Sequence, residues 1–182
     1  LVGSEMCIRD RSTNDAASTS AALGATEATQ YRSLAMRASY LAQDRADIQF
    51  ATKELARDLS SPTLQSWERL KRLGRYLLHR PRACLLFRPQ HRITFADARV
   101  DTDWAGCLRT RKSTAGGVCL RGRHLICHWS QTQNTIALSS GEAELGGVVR
   151  GACRGLGLKS LMLDLGLETD LKVLTDSSSA KG

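Results

Sequence analysis

The stretch ALSSGEAEL, residues 137–145, decides how the second half of the sequence is interpreted. Ser139 and Glu142 stand three residues apart, which is the spacing of a capping box, so the pattern predicts a helix start and gives Glu142 a structural role. Glu144 has no such role, and it stands beside apolar residues at helical spacing. The apolar residues predict a long helix, from Ser140 to about Leu165, that packs against a sheet. The apolar residues are Leu145, Val148, Val149, Ala152, Cys153, Leu156, Leu161 and Met162.

The composition is typical of one ordinary core with a helical appendage. The 182 residues are 42% hydrophobic, and the formal net charge is +8. Residues 31–90 carry 12 basic and 5 acidic side chains, which favours a polyanionic partner. The six cysteines lack zinc-type spacing and indicate a reduced, intracellular protein. The sequence has no run of about 18 apolar residues and no secretory signal, so we expect no membrane partner.

The first half of the sequence predicts a tail followed by helices. Residues 1–29 are polar and aperiodic, which predicts a disordered tail, and the first 11 or so are typical of translated adapter sequence. Residues 30–90 predict a helical segment, with a break near residues 44–47 between two short helices. Pro62 suits the first position of the next helix, and residues 83–87 suit a short extended piece.

Residues 91–182 change to a mixed pattern with the order β-β-β-α-β-α. A strand-like run from Ile93 to Trp104 is followed by two short strands joined around Gly122. After the long helix, a short apolar strand covers residues 171–174, and a last helix is able to begin at residues 177–180. The pattern predicts an α/β domain built on a mixed sheet.

Three acidic residues stand at comparable positions of these elements. Asp101 ends the first strand, Glu144 lies just inside the long helix, and Asp176 ends the fourth strand. If the first and fourth strands are parallel neighbours, the three carboxylates converge at one edge. Divalent cations usually neutralise the mutual repulsion of such carboxylates. Two such ions activate water for phosphodiester hydrolysis. A single carboxylate beside an apolar stripe is more often a solvated edge residue.

Seven stretches between Tyr31 and Gly182 resemble, in order, the end of a copia-type retrotransposon Pol polyprotein, where the reverse transcriptase tail leads into ribonuclease H. They are YRSLAMRASYLAQDRADIQFA, PTLQSWERLKRLGRYLL, VDTDWAGC, RTRKSTAGGV, HWSQTQ, ALSSGEAEL and VLTDSSSAKG. The resemblance implies a ribonuclease H-like fold over residues 91–182 and cleavage of the RNA strand of RNA·DNA hybrids. It also implies that Asp101, Glu144 and Asp176 hold two Mg²⁺ ions, or Mn²⁺, with Asp103 either a further ligand or a turn residue.

The resemblance also implies partners and a location. The partners are an RNA·DNA hybrid and the polymerase domain of the same polyprotein, in a cytoplasmic virus-like particle or the nucleus. Basic and hydroxyl side chains are candidates for contacts with phosphates, and residues 131–134 are candidates for contacts with 2′-hydroxyls. The phosphate candidates are Arg109, Arg111, Lys112, Ser113, Thr114, Lys71, Arg72 and Arg75.

Two departures from the family pattern leave alternatives open. The sequence stops at Gly182, before the position of a fourth acid, so we expect a truncated domain, and a strand residue such as His124 or His128 does not replace that acid. The acidic polymerase site is absent from the sequence. A non-enzymatic nucleic-acid-binding remnant is therefore an alternative, as is a tether role for residues 30–90. An integrase is disfavoured because its acids run Asp, Asp, Glu.

Overall fold

The computed structural model describes residues 21–107 and 109–177. The chain divides into two compact units, Leu1–Cys84 and Leu85–Gly182. This division falls a few residues before the predicted boundary at residues 90 and 91. Across the described ranges, no helix has the length and apolar character needed to cross a membrane.

The first unit is helical. Helix α1 covers Ala25–Leu41, α2 covers Gln49–Ala56 and α3 covers Leu64–His79, with a short 3₁₀ turn at Ala46–Ile48 before α2. The predicted pair of helices with a break between them is confirmed. Helix α1, however, includes the last five residues of the stretch predicted as a disordered tail, because Ala28 and Tyr31 are both buried on one helix face.

The core of the first unit is built around Tyr31 and Ile48, which are fully buried. The hydroxyl of Tyr31 donates a hydrogen bond to the carbonyl of Leu55 at 2.7 Å. Helix α3 does not begin at Pro62 as predicted, because the capping residue is Thr63. Its Oγ1 accepts a hydrogen bond from the backbone N–H of Ser66, and Oγ of Ser66 accepts one from the backbone N–H of Thr63. The proline therefore lies just before the cap.

The segment between α3 and the sheet has no regular secondary structure. The predicted extended piece at residues 83–87 is therefore not a strand. In the second unit, this segment is held by His124, whose ring nitrogens lie 2.8 Å from the carbonyl oxygen of Arg88 and 3.1 Å from Nε2 of Gln90. His124 is thus a structural contact, as the sequence indicated.

The described part of the second unit contains a four-stranded mixed sheet in the order β3-β2-β1-β4. The strands are β1 at Phe95–Asp103, β2 at Thr114–Arg121, β3 at His124–Thr132 and β4 at Asp170–Thr175. Strands β1, β2 and β3 pair antiparallel, whereas β1 and β4 pair in parallel. The turn between β2 and β3 contains Gly122 with a φ of 61°, which a residue with a Cβ adopts only under strain. The predicted order of strands along the chain is confirmed through β4. The last predicted helix lies almost wholly outside the described residues.

Helix α4, at Ser140–Asp164, connects β3 to β4 and packs on the sheet. Its bounds agree with the prediction, but its packed face does not. The buried positions are Ala143, Gly147, Gly151, Gly155, Leu158 and Met162.

Most of the apolar series that was predicted to pack on the sheet is exposed, including Leu145, Val149, Leu156 and Leu161 at more than half of their surface. Among the predicted residues, Met162 is buried and Val148 is partly buried against the core. The reason is the close approach of helix and sheet: a Cβ on Gly147, Gly151 or Gly155 would overlap side chains of β1 or β4. The helix therefore packs on the sheet through the face that carries these three glycines.

Candidate active site

The parallel pairing of β1 and β4 brings two acidic residues to the same edge of the sheet. Val100 is aligned with Thr175, so Asp101 on β1 and Asp176, directly after β4, occupy the next position along each chain segment. Both residues are exposed, and Asp103, two positions further along β1, is half-buried. The parallel pairing of the first and fourth strands, on which the predicted convergence of the acids depended, is present.

The start of helix α4 carries the third carboxylate. Ser139 is the capping residue, and its Oγ accepts a hydrogen bond from the backbone N–H of Glu142 at 3.1 Å. The carboxylate of Glu142 accepts a hydrogen bond from the N–H of Leu138 at 2.7 Å, one residue before the cap. The structural role predicted for Glu142 is confirmed, although its backbone partner is Leu138 rather than Ser139.

Glu144 interacts with both strand acids. Its Oε2 atom is buried and has no hydrogen-bond partner. Burial raises the pKa of the Glu144 carboxyl above its ordinary value, and the negative charges of Asp101 and Asp176 raise it further. The three acids therefore form one electrostatic cluster. Within the described ranges, no group of three acidic, histidine or cysteine side chains is close enough to hold a metal ion without rearrangement.

Gln133 fixes the start of helix α4 relative to the sheet. Its side chain is almost fully buried and donates a hydrogen bond from Nε2 to the carbonyl of Ala143 at 2.7 Å, directly before Glu144. Its backbone N–H donates to the carbonyl of Ser113 at 2.8 Å. The sequence analysis placed Gln133 among candidates for 2′-hydroxyl contacts, but these bonds make it a positioning residue. The burial of its side chain distinguishes Gln133 from the other residues of the stretch 131–134, and the sequence did not show this burial.

The loop between β1 and β2 carries the basic residues nearest in sequence to the strand acids. Arg109 and Arg111 are exposed and Lys112 is half-buried, so all three remain candidates for phosphate contacts. Ser113 and Thr114 do not, because both are buried. Oγ of Ser113 accepts a hydrogen bond from the N–H of Ala105 at 3.1 Å, so this hydroxyl stabilises the loop instead.

The other predicted phosphate contacts lie on helix α3 of the first unit. Lys71, Arg72 and Arg75 are all exposed there. Nζ of Lys71 lies 2.7 Å from a carboxylate oxygen of Glu68, one turn earlier, so part of this basic surface is neutralised locally. A pair as exposed as this one contributes little to stability.

Comparisons with known proteins find relatives that match most of the chain. The chain is 31% identical to the retrovirus-related Pol polyprotein from transposon RE2 of Arabidopsis thaliana over 140 residues, and these residues are 77% of the chain. It is 32% identical over 142 residues to the corresponding polyprotein from transposon RE1 of the same plant, covering 78% of the chain. The polyprotein from transposon TNT 1-94 of Nicotiana tabacum is 32% identical over 137 residues, or 75% of the chain.

The matched region is a small part of these relatives. The chain spans about 10% of the length of each of them. No family model matches the chain, and no solved structure matches it.

The fold, the site and the relatives together define the class of protein. It is a polyprotein segment in which a helical unit precedes a mixed α/β unit whose sheet has acidic residues at one edge. More particularly, the chain belongs to the family of retrovirus-related Pol polyproteins of copia-type transposons.

Proposed function

We propose that the second unit is a ribonuclease H-like domain that hydrolyses the RNA strand of RNA·DNA hybrids in a metal-dependent, endonucleolytic reaction. One observation carries the proposal: Asp101, Glu144 and Asp176 interact at one edge of the sheet, and Oε2 of Glu144 is buried without a partner. A buried carboxylate oxygen without a donor is costly for a fold that uses it only structurally. The family membership of the chain supports a role in copying a transposon.

The chemistry of the three acids fits a hard divalent cation such as Mg²⁺, or Mn²⁺. Asp101, Glu144 and Asp176 would hold it, with Asp103 as a further candidate. A cation removes the cost of placing three negative charges together, which is the cost that raises the pKa of Glu144. Two such ions, when bound, would activate a water molecule and stabilise the leaving oxygen of the phosphodiester.

The residues of the chain itself supply position and access. Glu144 is carried by a helix whose start is held by Ser139 and Gln133, so its carboxylate has a defined place relative to the strands. Asp101 and Asp176 are exposed, which leaves their edge of the sheet open to a phosphate group. Preorganised charge of this kind is most effective where burial lowers the local dielectric, as at Glu144.

The substrate is proposed from the charges beside the acids. Arg109 and Arg111 are exposed on the loop that follows the strand carrying Asp101. Contacts from such residues to phosphates give a nucleic acid its register without selecting a sequence. The polymerase domain of the same polyprotein is the proposed covalent neighbour that supplies the hybrid.

A second function is favoured by one specific observation. The acids are not close enough, as they stand, to form a three-ligand metal site within the described ranges. This favours a remnant that binds nucleic acid without cutting it. For the first unit, a tether between polymerase and nuclease stays the alternative. The two functions differ in cleavage but not in binding.

The test is cleavage of an end-labelled RNA·DNA hybrid by the purified chain with Mg²⁺ or Mn²⁺, compared with Asp101→Asn. We expect cuts within the RNA strand only, which are lost in the variant and on chelation of the metal. Attack by water predicts 3′-hydroxyl and 5′-phosphate ends, whereas a contaminating ribonuclease that uses the 2′-hydroxyl leaves a cyclic phosphate. Salt-sensitive hybrid binding without cleavage by the unmutated chain would favour the remnant instead.

A further inference from the structure

Trp104 stands directly after the strand that carries Asp101 and Asp103, and it is not used by the proposed chemistry. Its side chain is 47% exposed. Its indole N–H donates a hydrogen bond to the carbonyl of Ala137 at 3.1 Å, across the gap between the end of β1 and the segment leading into α4. The ring is therefore held in one orientation while about half of its surface faces solvent.

The loop that presents Trp104 is tightly organised. Ala105 and Arg111 both adopt a positive φ, 51° and 55°, although neither is glycine. The N–H of Ala105 is bound by Oγ of the fully buried Ser113, and the N–H of Arg111 donates to the carbonyl of Cys107 at 2.7 Å. Backbone strain of this type costs about 1–3 kcal/mol per residue and clusters at binding and catalytic sites. Two strained residues therefore lie in the loop that begins at the ring.

Exposed apolar residues flank the anchor of the ring along the chain, and exposed cations lie on the loop that follows it. Ile136 and Leu138, on either side of the carbonyl that anchors Trp104, are exposed at 53% and 87%. Arg109 and Arg111 are exposed on the loop after the ring. An oriented aromatic ring that directly follows the strand carrying two carboxylates and begins a loop with cations suits a ligand with an apolar face and a phosphate beside it, which describes a nucleotide unit.

We propose that Trp104 is a substrate contact: its exposed indole face packs against a sugar of the RNA·DNA hybrid, in the minor groove next to the phosphate presented to the acids. This inference rests on the proposed function and extends it from the reacting group to the recognition of the duplex. The wide, shallow minor groove of an A-like duplex exposes sugar edges to a flat ring, whereas the narrower groove of B-form DNA does not. Trp104 therefore contributes to the preference for hybrid over DNA.

The test is the affinity for a fluorescently labelled hybrid without divalent ions, so that binding is measured apart from cleavage. Trp104→Phe keeps a ring but loses the bond to Ala137, and Trp104→Ala loses both. Leu163→Ala is the matched control, because it removes an exposed apolar side chain at the other end of helix α4. We expect Trp104→Ala to weaken hybrid binding about 5- to 100-fold, the range for loss of a stacked aromatic. Trp104→Phe and Leu163→Ala should stay within about 3-fold of the unmutated chain, on the same scale.

A second readout separates contact from structure. Because the ring carries no charge, Trp104→Ala should lower affinity without changing the salt dependence of binding, whereas Arg111→Ala should reduce the salt slope by about one phosphate contact. Equal affinity of Trp104→Ala and the unmutated chain would overturn the proposal. Equal losses for Trp104→Phe and Trp104→Ala, together with a lower unfolding temperature for both, would show a structural tie instead.

The outcomes also separate this inference from the nuclease proposal. If the unmutated chain cuts the hybrid and Trp104→Ala binds it equally well, only the contact is wrong. If the unmutated chain binds without cutting and Trp104→Ala loses binding, the contact stands and the nuclease fails. A chain that does not bind the hybrid at all would overturn both.

Discussion

Replacing Gly151 by alanine tests how helix α4 packs on the sheet. A Cβ at this position would overlap Cγ1 of Val100 on β1 and lie 3.6 Å from Cγ1 of Val173 on β4. Valine is stiff at χ1, so Val100 does not turn away at low cost. Gly157, on the same helix, is the matched control, because a Cβ there meets nothing within 4 Å.

The expected magnitude follows from two opposing effects. Replacing glycine by alanine inside a helix stabilises it by about 1 kcal/mol at either position. Overpacking at Gly151 costs about 1–3 kcal/mol in addition. The helical preference cancels when the two variants are compared, so Gly151→Ala should be less stable than Gly157→Ala by about 1–3 kcal/mol.

The assay is urea unfolding followed by circular dichroism for the unmutated chain and both variants. Relative to the unmutated chain, we expect Gly157→Ala to unfold at higher urea concentration and Gly151→Ala at the same or lower concentration. Equal stabilisation by both substitutions would refute the glycine-faced packing. It would mean that the leucine-rich face, with Leu156 exposed at 57%, is the packed one after all.

The remaining predictions concern ionisation in the first unit. Burial raises the pKa of Tyr31 to about 12, so its stabilising contribution is complete below pH 10 and is lost as the pH rises through 12. Tyr31→Phe should cost about 1 kcal/mol at pH 7, by loss of the bond to Leu55, and show less alkaline destabilisation in urea unfolding. Hydrogen bonds from Arg45 hold the pKa of Asp47 below its usual range, with a further contribution from Tyr76. The contribution of Asp47 to the free energy of unfolding is therefore present above its ordinary pKa and is lost as the pH falls through the lowered pKa. Asp47→Asn should accordingly make the free energy of unfolding depend less on pH on the acid side. At pH 7 this variant should cost about 3 kcal/mol, because Arg45 is 5% exposed and loses its counter-charge; an unchanged acid limb would contradict this.

The order of the elements and the place of the acids were predictable from the sequence. Strand and helix limits followed from hydrophobic periodicity and from the cap at Ser139. The parallel neighbours β1 and β4 bring Asp101 and Asp176 together, and the capping bond of Glu142 separates its role from that of Glu144. Local patterns were sufficient here because the positions depend on element ends.

The packed face of helix α4 was not predictable in the same way. Periodicity identifies the face with large apolar side chains, but the helix approaches the sheet where Gly147, Gly151 and Gly155 have none. Close packing of backbone on side chains offsets the smaller buried area in a way that a hydrophobicity pattern does not register.

The roles of Ser113 and Gln133 were also outside the reach of the sequence. Both are polar residues in or beside a loop, where solvent exposure is the ordinary expectation. Each is instead buried and occupied by a backbone hydrogen bond, Ser113 with Ala105 and Gln133 with Ala143. These partners lie 8 and 10 residues away along the chain and become visible only in the folded chain.

The most direct test of the central claim compares two glutamates on the same turn of α4. Glu144→Gln and Glu142→Gln each remove one negative charge, and the rate of Mg²⁺-dependent hybrid cleavage is measured for both against the unmutated chain. We predict that Glu144→Gln lowers the rate by more than about 100-fold, since loss of an outer-shell metal partner alone costs about 10- to 100-fold. Glu142→Gln, which affects only the helix cap, should retain most of the rate. Equal rates for the two variants would contradict the assignment of Glu144 to the active site.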